Sequence, residues 1–334
     1  MTTDLAPDTS VVGARAIDDA ASRFYTVGGF TLDDTVLPSG EVRWSAPGGN
    51  ALYSAIGAWL WGAEVGIVAR VSTSYPEQHL QLLREKGFDL QGVQRVEHPD
   101  FHVWILHEGD GKRQIIYRLD SGSNTYLDPT PAQLPSPAGQ VGAMHICPIR
   151  RGSQEAFVQY GLANGIPLYL DLIVIPGQID QETTRLPEAW KRLRAFLPSI
   201  EEVRTIWGAR PLIELCEELR LAGPPCIAVK MGQLGSLVLD IRNDAITHVP
   251  ACQTEAIDAT GAGDAYCGGF MVGLKETGDP VEAAMRGTVS ASFVIEDFGA
   301  LHALYVPPAR VHARLEKLRS GVRRLSLAEL ASLA

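Results

Sequence analysis

The chain has 334 residues, of which 46% are hydrophobic and 20% charged, so it can form a sizeable core, and this composition argues against global disorder. Its formal net charge of −10 argues against general nucleic-acid binding, although backbone N–H groups can still bind an anion locally. The polar start MTTDLAPDTS does not resemble a signal peptide, and no apolar run is long enough to span a membrane. Five cysteines form no C-x-x-C pair. We therefore expect a cytoplasmic protein with free thiols.

The first part of the chain predicts a leader followed by alternating strands and helices. Residues 1–22 are polar and are expected to be flexible. The run RFYTVGGF (23–30) predicts a buried strand that ends in a turn, and EVGIVARVS (64–72) predicts another strand. Apolar residues at helical spacing in 50–63, and Pro and Gly at the ends of 74–88, predict two helices.

The pattern then changes to that of a small β insertion. Two β-rich runs in 101–119 flank Asp110-Gly111, which predicts a hairpin. The segment 35–44 is expected to add another strand. The sequence thus predicts a small β-sheet lid from about 33–46 and 100–122.

Strand and helix patterns alternate again after the insertion. Residues 210–223 predict a helix that ends at Gly223. Strands are predicted over 143–149, 167–173, 203–207, 225–231 and 235–241. Such alternation favours an α/β fold with a mostly parallel central sheet and helices on both faces. We expect one domain over 23–310 and a C-terminal helical segment over 311–334.

The stretch IDATGAGDAYCGG (257–269) allows three interpretations. Its small residues could serve helix packing, but packing alone does not explain the two aspartates, Asp258 and Asp264. A dinucleotide fingerprint needs G-x-G-x-x-G after an early strand, whereas Tyr266 replaces the third glycine here and the stretch lies late in the chain. The third interpretation is an anion site beside a general base.

The third interpretation explains both the glycines and an aspartate. Apolar residues from Phe270 onward predict a helix that begins near 261–264. Free N–H groups at a helix start bind phosphate, and glycines let the phosphate come close. A carboxylate directly after such N–H groups is unfavourable unless it has a chemical role. General-base catalysis by Asp264 on an attacking hydroxyl is the obvious role.

The segment DATGAGDAYCGGFMVGL (258–274) resembles the C-terminal signature of the ribokinase/PfkB family of carbohydrate and nucleoside kinases, D-T-x-G-A-G-D. APGGNALYSAIGAWLWGAEVGIVARV (46–71) is similar to the family's N-terminal signature, and LREKGFDLQGVQRV (83–96) to the stretch after it. VKMGQLGS (229–236) resembles the family's turn near the nucleotide. The resemblance implies a ribokinase-like fold in which the β insertion covers the sugar site.

The resemblance also implies roles for the C-terminal signature. Asp264 matches the catalytic base that accepts the proton of a substrate hydroxyl. Gly261, Ala262 and Gly263 match the anion hole. Asp258 either caps the helix entry or takes part in a nearby cation site.

On the acceptor side, Asp33 matches an early aspartate that binds sugar hydroxyls, with Asp34 as its rival. A carboxylate suits this role because it can accept two O–H hydrogen bonds. Gly48 and Gly49 match a turn whose backbone lies against the substrate. Asn50 either binds a hydroxyl or caps the following helix.

On the nucleotide side, Gly232 and Gly235 match a turn near the phosphates. Lys230 either contacts a phosphate or is a solvated lysine at the end of a strand. Glu202 matches a glutamate near the metal, whereas Ser199 stands where the family commonly has asparagine. The resemblance therefore places Glu202 and Asp258 as candidate metal ligands.

The resemblance implies an ATP-dependent phosphotransferase that acts on an alcohol group of a sugar or sugar-like molecule. Mg²⁺ is the expected cofactor, a monovalent cation is a further candidate, and a homodimer joined through the lids is the expected assembly. The alternatives are a nucleoside kinase of the same family and a catalytically weak, ligand-binding relative. Ser199 favours the weak relative, as does Tyr53, which replaces an asparagine of the N-terminal signature.

Overall fold

The structure is a computed structural model that describes residues 23–108, 113–135, 138–172 and 187–332. The predicted leader and the Asp110-Gly111 turn lie outside the described residues. The strands are β1 Arg23–Val27, β2 Thr31–Val36, β3 Val42–Gly48, β4 Val65–Ser72, β5 Val93–Val96, β6 His102–His107, β7 Arg113–Tyr117, β8 Val141–Ile146, β9 Leu168–Leu170, β10 Ala195–Phe196, β11 Cys226–Lys230, β12 Ser236–Asp240, β13 Ala245–Val249 and β14 Arg323–Arg324. The helices are α1 Asn50–Trp59, α2 Glu77–Glu85, α3 Asn124–Leu127, α4 Arg151–Ala163, α5 Ile200–Trp207, α6 Leu212–Ala222, α7 Ala262–Thr277, α8 Pro280–Val294, α9 Pro308–Arg319 and α10 Leu327–Ala331.

A large sheet occupies the centre, in the strand order β14-β13-β12-β11-β10-β9-β8-β1-β4-β5. In this order, each strand from β11 to β5 runs parallel to its neighbours within that part of the sheet. Strands β12, β13 and β14 extend the sheet at one end by antiparallel pairing. Strands buried on both faces have continuous apolar runs, such as VGIVARVS in β4. The predicted α/β fold with a mostly parallel sheet is confirmed. The segment 311–334, predicted as helical, also contains the short strand β14.

Helices cover both faces of the large sheet and form two separate apolar cores. One core contains Leu52 of α1, Phe270 of α7 and Val289 of α8. The other contains Phe157 of α4 and Leu215 of α6. The five cysteines are free, as the sequence predicts.

A second, four-stranded sheet has the order β3-β2-β6-β7. The predicted small β insertion is therefore present, but the single strand expected over 35–44 is wrong. Residues 37–41 instead form a turn between β2 and β3, closed by Leu37 N–H donating to Glu41 O at 2.9 Å. Gly40 has a φ of 86° in this turn, a conformation that glycine adopts readily.

The strand predicted over 203–207 is also wrong, because these residues belong to α5. The helix begins with a reciprocal cap: Glu202 N–H donates to Ser199 Oγ at 3.2 Å, and Ser199 N–H donates to Glu202 Oε2 at 2.6 Å. Its buried residues recur at helical spacing and are Ile200, Val203 and Ile206. The strand in this region is the shorter β10, just before the helix.

Glycines allow α1 and α7 to approach closely. A Cβ atom on Gly57 of α1 would lie 2.1 Å from Ala265 O, and one on Gly268 of α7 would lie 1.9 Å from Ser54 O. Side chains at these two positions would overlap the backbone of the facing helix. Beside this contact, the Tyr53 ring of α1 lies against Gly261 at the start of α7.

Gly268→Ala should therefore lower the free energy of unfolding by about 1–3 kcal/mol, because the added methyl group separates two packed helices. Chemical denaturation followed by circular dichroism measures the change. Gly152→Ala is the matched control, since Gly152 lies in α4 and a Cβ atom there would meet nothing within 4 Å. Equal stability of Gly268→Ala and wild type would contradict the packing role.

Candidate active site

A cavity of about 220 Å³ lies between the small sheet and the first turns of α1 and α7. The loops after β1 and β8 also line it, because the carboxyl ends of parallel strands meet at one edge of a sheet. Its polar lining includes Asp33, Asn50, Arg113 and Asp264. Much of the remaining wall is apolar or aromatic, with Phe30, Phe101, Ile105, Ile115 and Tyr117 among its residues.

The predicted anion hole lies at the start of α7. Gly261 is the N-cap residue and has a φ of 73°, in the left-handed region that favours glycine. Ala262 and Gly263 begin the helix, and Asp264 lies in its first turn. The first N–H groups of a helix have no acceptor within it, so this turn can donate to an anion.

Asp264 carries a carboxyl group whose pKa is raised to about 7. Burial is the largest cause, and the negative charge of Asp171 adds to it. The positive charges of Lys230 and Arg113 act in the opposite direction. A carboxyl group with this pKa can exchange a proton near neutral pH, as a general base must.

Lys230 lies next to this turn with only 12% of its side chain exposed, so the alternative of a solvated lysine is not observed. Its Nζ donates a hydrogen bond to Asp171 Oδ2 and lies 3.6 Å from Cys267 Sγ. A Cβ atom on Gly263 would lie 3.5 Å from the same Nζ. Burial alone would lower the pKa of Lys230, but the charge of Asp171 raises it well above its ordinary value. The ammonium group therefore stays charged next to the first turn of α7.

Asp33 and Asp34 point to opposite faces of the small sheet, as successive residues of a strand do. Asp33 lines the cavity and accepts a hydrogen bond from Thr31 Oγ1 at 2.6 Å. Burial is the main reason why the pKa of Asp33 is raised to about 7, and the charge of Asp258 adds to it.

Asp34 is not a lining residue of the cavity. It accepts hydrogen bonds from Ser45 N–H at 2.8 Å and from Arg118 Nη1 at 3.0 Å, and His102 Nε2 lies 3.1 Å from its Oδ2. Burial opposes its ionisation, but these partners hold the pKa of Asp34 below its ordinary value. Asp34 thus ties strands of the small sheet together, and Asp33 alone of the two faces the cavity.

The predicted Gly-Gly turn lies directly under Asp33. A Cβ atom on Gly48 would lie 1.9 Å from Asp33 Oδ2, and one on Gly49 would lie 2.3 Å from Gly29 O. Gly49 also has a φ of 104°. Glycine is therefore required at both positions by close approach, and at Gly49 by backbone conformation as well.

Asn50 lines the cavity and connects two loops. Its Oδ1 accepts a hydrogen bond from Gly29 N–H at 2.8 Å, and its Nδ2 donates to Pro148 O at 2.6 Å. The alternative that it caps α1 is not observed, because Gly49 is the N-cap residue and makes no side-chain cap. Asn50 thus holds the loops after β1 and β8 in place around the cavity.

Gly232 and Gly235 shape the turn between β11 and β12. Their φ values are 57° and 90°, and a Cβ atom on Gly235 would lie 2.1 Å from Val249 O. Neither residue lines the cavity that contains Asp33 and Asp264. The turn therefore lies apart from the predicted acceptor side, next to Lys230 at the end of β11.

The two predicted metal ligands lie in different surroundings. Glu202 Oε2 accepts from Ser199 N–H, and burial is the largest cause that raises its pKa to about 8. Asp258 is buried, accepts from Thr260 N–H at 2.8 Å, and has its Oδ1 3.1 Å from His107 Nε2. In the described part of the chain, no three His, Cys, Asp or Glu side chains are grouped to hold a metal.

Arg113 is a cavity residue that the sequence motifs do not indicate. It is the first residue of β7. Its positive charge partly offsets the rise in the pKa of both Asp33 and Asp264. Strand alternation could have indicated it, because Arg113, Ile115 and Tyr117 all line the cavity from one side of β7.

Comparisons with known proteins agree with these observations. A family model described as pfkB family carbohydrate kinase matches residues 25–305. The chain is 27% identical over 276 residues to the cytidine kinase of Thermococcus kodakarensis. This alignment covers 82% of this chain and 96% of that protein.

Two solved structures share the fold. The Arabidopsis thaliana ribokinase, solved with ribose and ATP, matches with a TM-score of 0.67 and 20% identity over 89% of this chain and 99% of that chain. The nucleoside kinase of Methanocaldococcus jannaschii matches with a TM-score of 0.66 and 18% identity over 88% of this chain and 98% of that chain. Within the described residues, no helix is long and apolar enough to cross a lipid bilayer.

Arg113→Gln should raise the pKa values of Asp33 and Asp264 above their values of about 7, because it removes a positive charge that favours both carboxylates. An NMR pH titration of the carboxyl carbons in protein labelled with ¹³C-aspartate measures both pKa values. Arg43→Gln is the control, since Arg43 lies on β3 of the same sheet and pairs with Glu41. Unchanged pKa values in Arg113→Gln, or the same rise in the control, would contradict this electrostatic role.

Proposed function

This chain belongs to the pfkB family of carbohydrate kinases and is a kinase, and on that premise we propose that it transfers the γ-phosphoryl group of ATP to an alcohol group of a sugar or sugar-like molecule. The observation that carries the proposal is the position of Asp264. It lies in the first turn of α7, directly after Gly261, Ala262 and Gly263, and lines the same cavity as Asp33. A base, an anion-binding turn and a hydroxyl-binding carboxylate thus share one site.

Asp264 acts as the general base in this proposal. The acceptor oxygen attacks the γ-phosphorus of ATP while Asp264 takes the proton of that hydroxyl. A new P–O bond forms, the bond to the bridging oxygen breaks, and ADP leaves with the electron pair. The pKa of Asp264, about 7, suits this step because the carboxylate is available near neutral pH and still accepts a proton readily.

The first turn of α7 stabilises the negative charge of the transferring phosphoryl group. The N–H groups of Gly261, Ala262 and Gly263 act as the anion hole, and the partial positive charge of the helix N-terminus adds to them. Lys230 supports this assignment because its charged ammonium group lies next to Gly263. The helix start holds these donors in place before the reaction, and the Ala262 N–H also makes a long hydrogen bond of 3.4 Å to Ala259 O, which an anion would replace.

The ATP phosphates bind on the side of β11, and Lys230, Gly232 and Gly235 are the proposed contacts. A Cβ atom on Gly232 would meet nothing within 4 Å, so the backbone there is open to a phosphate, whereas Gly235 lets the turn pack against Val249 O.

Mg²⁺ is commonly held by one or two carboxylates together with phosphates and water, and it neutralises phosphate charge. Glu202 fits such a role because it lies beside Asp171 and Lys230. Each of the two carboxyl groups has one oxygen engaged, since Glu202 Oε2 accepts from Ser199 N–H, and Asp258 Oδ1 accepts from Thr260 N–H and lies 3.1 Å from His107 Nε2. A bound cation would favour the ionised form of Glu202, whose pKa is otherwise raised to about 8.

A nucleoside is the second candidate acceptor. Phe30, Phe101 and Tyr117 give the cavity an aromatic wall on which a planar base could stack, whereas a free sugar has no such group. The relative from Thermococcus kodakarensis is named a cytidine kinase. A catalytically weak relative would bind members of a sugar and nucleoside panel without consuming ATP. Measuring ADP release with each member of that panel therefore separates the three candidates: release with sugars, release with nucleosides, or binding without release.

Asp264→Asn should lower kcat by about 10²- to 10⁴-fold while ATP binding is retained, because the amide cannot accept the proton. Coupled ADP release measures kcat, and calorimetric titration measures ATP affinity. Asp297→Asn is the control, since this side chain is exposed and accepts a hydrogen bond from Phe298 N–H. A near wild-type rate for Asp264→Asn would remove the base assignment.

Asp33 and Asp34 provide a second test because they are adjacent but face opposite sides. Asp33→Asn should raise KM for the acceptor by roughly tenfold, since it weakens a hydrogen bond to a charged group. Asp34→Asn should leave that KM near the wild-type value and lower the free energy of unfolding by about 1–3 kcal/mol, because Arg118 and His102 lose their carboxylate. Steady-state kinetics and chemical denaturation measure the two effects. The reverse pattern would assign the acceptor contact to Asp34.

A further inference from the structure

Asp128 is a carboxyl group on the cavity wall that no sequence motif indicates and that the proposed mechanism does not use. It follows α3 directly, lines the cavity and has only 5% of its side chain exposed. Three donors converge on its Oδ2: Arg150 Nε at 2.7 Å, Ser153 Oγ at 3.1 Å and Arg150 N–H at 3.3 Å. Among the described residues, none donates a hydrogen bond to Oδ1, and this oxygen is not sealed in the interior.

The two oxygens of Asp128 therefore have different uses. Oδ2 is held by Arg150 and Ser153, which fix the orientation of the carboxyl group. Oδ1 is left without a donor on a buried side chain, and the lost hydration is recovered when a ligand donates a hydrogen bond to it. An ionised carboxylate can only accept hydrogen bonds, so the ligand group that suits Oδ1 carries an N–H or an O–H.

Asp128 approaches the cavity from a different side than Asp264. Its partners lie at the start of α4, where Arg150 is the N-cap residue and Ser153 belongs to the helix. Helix α4 packs on one face of the large sheet through Phe157, whereas α1 and α7 pack on the other face. The cavity thus crosses the edge of the sheet. A ligand with one hydroxyl at Asp264 extends across this edge toward Asp128.

We propose that Asp128 Oδ1 accepts a hydrogen bond from an N–H or O–H group at the end of the acceptor remote from the phosphorylated hydroxyl, so that Asp128 determines acceptor specificity. This inference rests on the proposed function, which makes the cavity the acceptor site. Phe101 and Tyr117 line the same cavity and favour the amino group of a stacked planar base as the donor. A distal hydroxyl group of a sugar is the other source of the same chemistry.

The substitution Asp128→Asn tests the proposal. Asparagine keeps one oxygen for Arg150 and Ser153 and replaces the accepting Oδ1 by an NH₂ group, which donates. Asp89→Asn is the matched control: the Asp89 side chain is 8% exposed, accepts from Arg23 Nη1 at 2.7 Å, and does not line the cavity. Asp128→Ala is a second variant that folds even if Asp128→Asn does not, because the Arg150 side chain is 47% exposed and can be solvated.

Acceptor affinity is measured by calorimetry without nucleotide, so the result does not depend on turnover. Two pairs of nucleosides differ by one amino group: cytidine with the riboside of pyrimidinone, and adenosine with the riboside of purine. Ribose and fructose, each with its deoxy analogues, form the sugar arm. For the best-binding member, both Asp128 variants should weaken affinity by roughly tenfold or more, the effect of one hydrogen bond to a charged group. Asp89→Asn should bind every ligand like wild type.

The analogues identify the donor that Asp128 contacts. The analogue without this donor should bind wild type and the Asp128 variants equally, whereas the other analogues keep the difference between the proteins. Loss of the difference on removal of an amino group identifies a base, and loss on removal of a hydroxyl identifies a sugar. Equal affinity of wild type and variants for every ligand would overturn the proposal. The same loss for every analogue would also overturn it, because Asp128 would then only support the loops around the cavity.

The proposed function fails in a different way. Binding of an acceptor by wild type without ADP release in the presence of ATP would refute phosphoryl transfer, while the affinity comparison would still decide the role of Asp128. Absence of binding by every sugar and nucleoside of the panel would overturn both. ADP release by wild type together with unchanged affinity of the Asp128 variants would remove only the Asp128 inference.

Discussion

The close approach of α1 and α7 is the constraint on which the candidate site depends. Gly57 and Gly268 leave no space for side chains between the two helices, and the first turns of both helices open onto the cavity. Beside this contact, the Tyr53 ring lies against Gly261. The small residues around Asp264 therefore have two separate uses. Gly268 allows packing, whereas Gly261 adopts the left-handed conformation that starts the helix.

Burial then determines the chemistry of the carboxylates that this packing brings to one cavity. Asp33 and Asp264 both have pKa values raised to about 7, because each is removed from water and lies near another acid. The positive charge of Arg113 on the small sheet offsets this effect at both carboxylates, and that of Lys230 offsets it at Asp264. An acceptor whose hydroxyl donates to Asp33 would favour the ionised form of that carboxylate. In the proposed mechanism, acceptor binding and the charge balance of the site are thus coupled.

The sequence predicts the parts of the fold and site that depend on neighbouring residues, and misses those decided by tertiary contacts. Alternating apolar runs are sufficient for the parallel sheet, and one contiguous stretch indicates the Asp264 turn. The five residues 203–207 are too few to distinguish the period of a strand from that of a helix, and the Ser199–Glu202 cap decides for the helix. The ion pair of Lys230 cannot be predicted from the local sequence, because its partner Asp171 comes from a different part of the chain.

The residues proposed for phosphoryl transfer and those that line the acceptor space differ in origin. The proposed base and anion hole come from one turn at the start of α7, so their positions relative to one another are set by that turn alone. The cavity wall comes instead from β2, β6, β7, α1 and the loops after β1 and β8. A substitution on the inner face of the small sheet changes which acceptor fits without moving Asp264 along its helix. The type of reaction and the choice of acceptor can therefore vary independently in this fold.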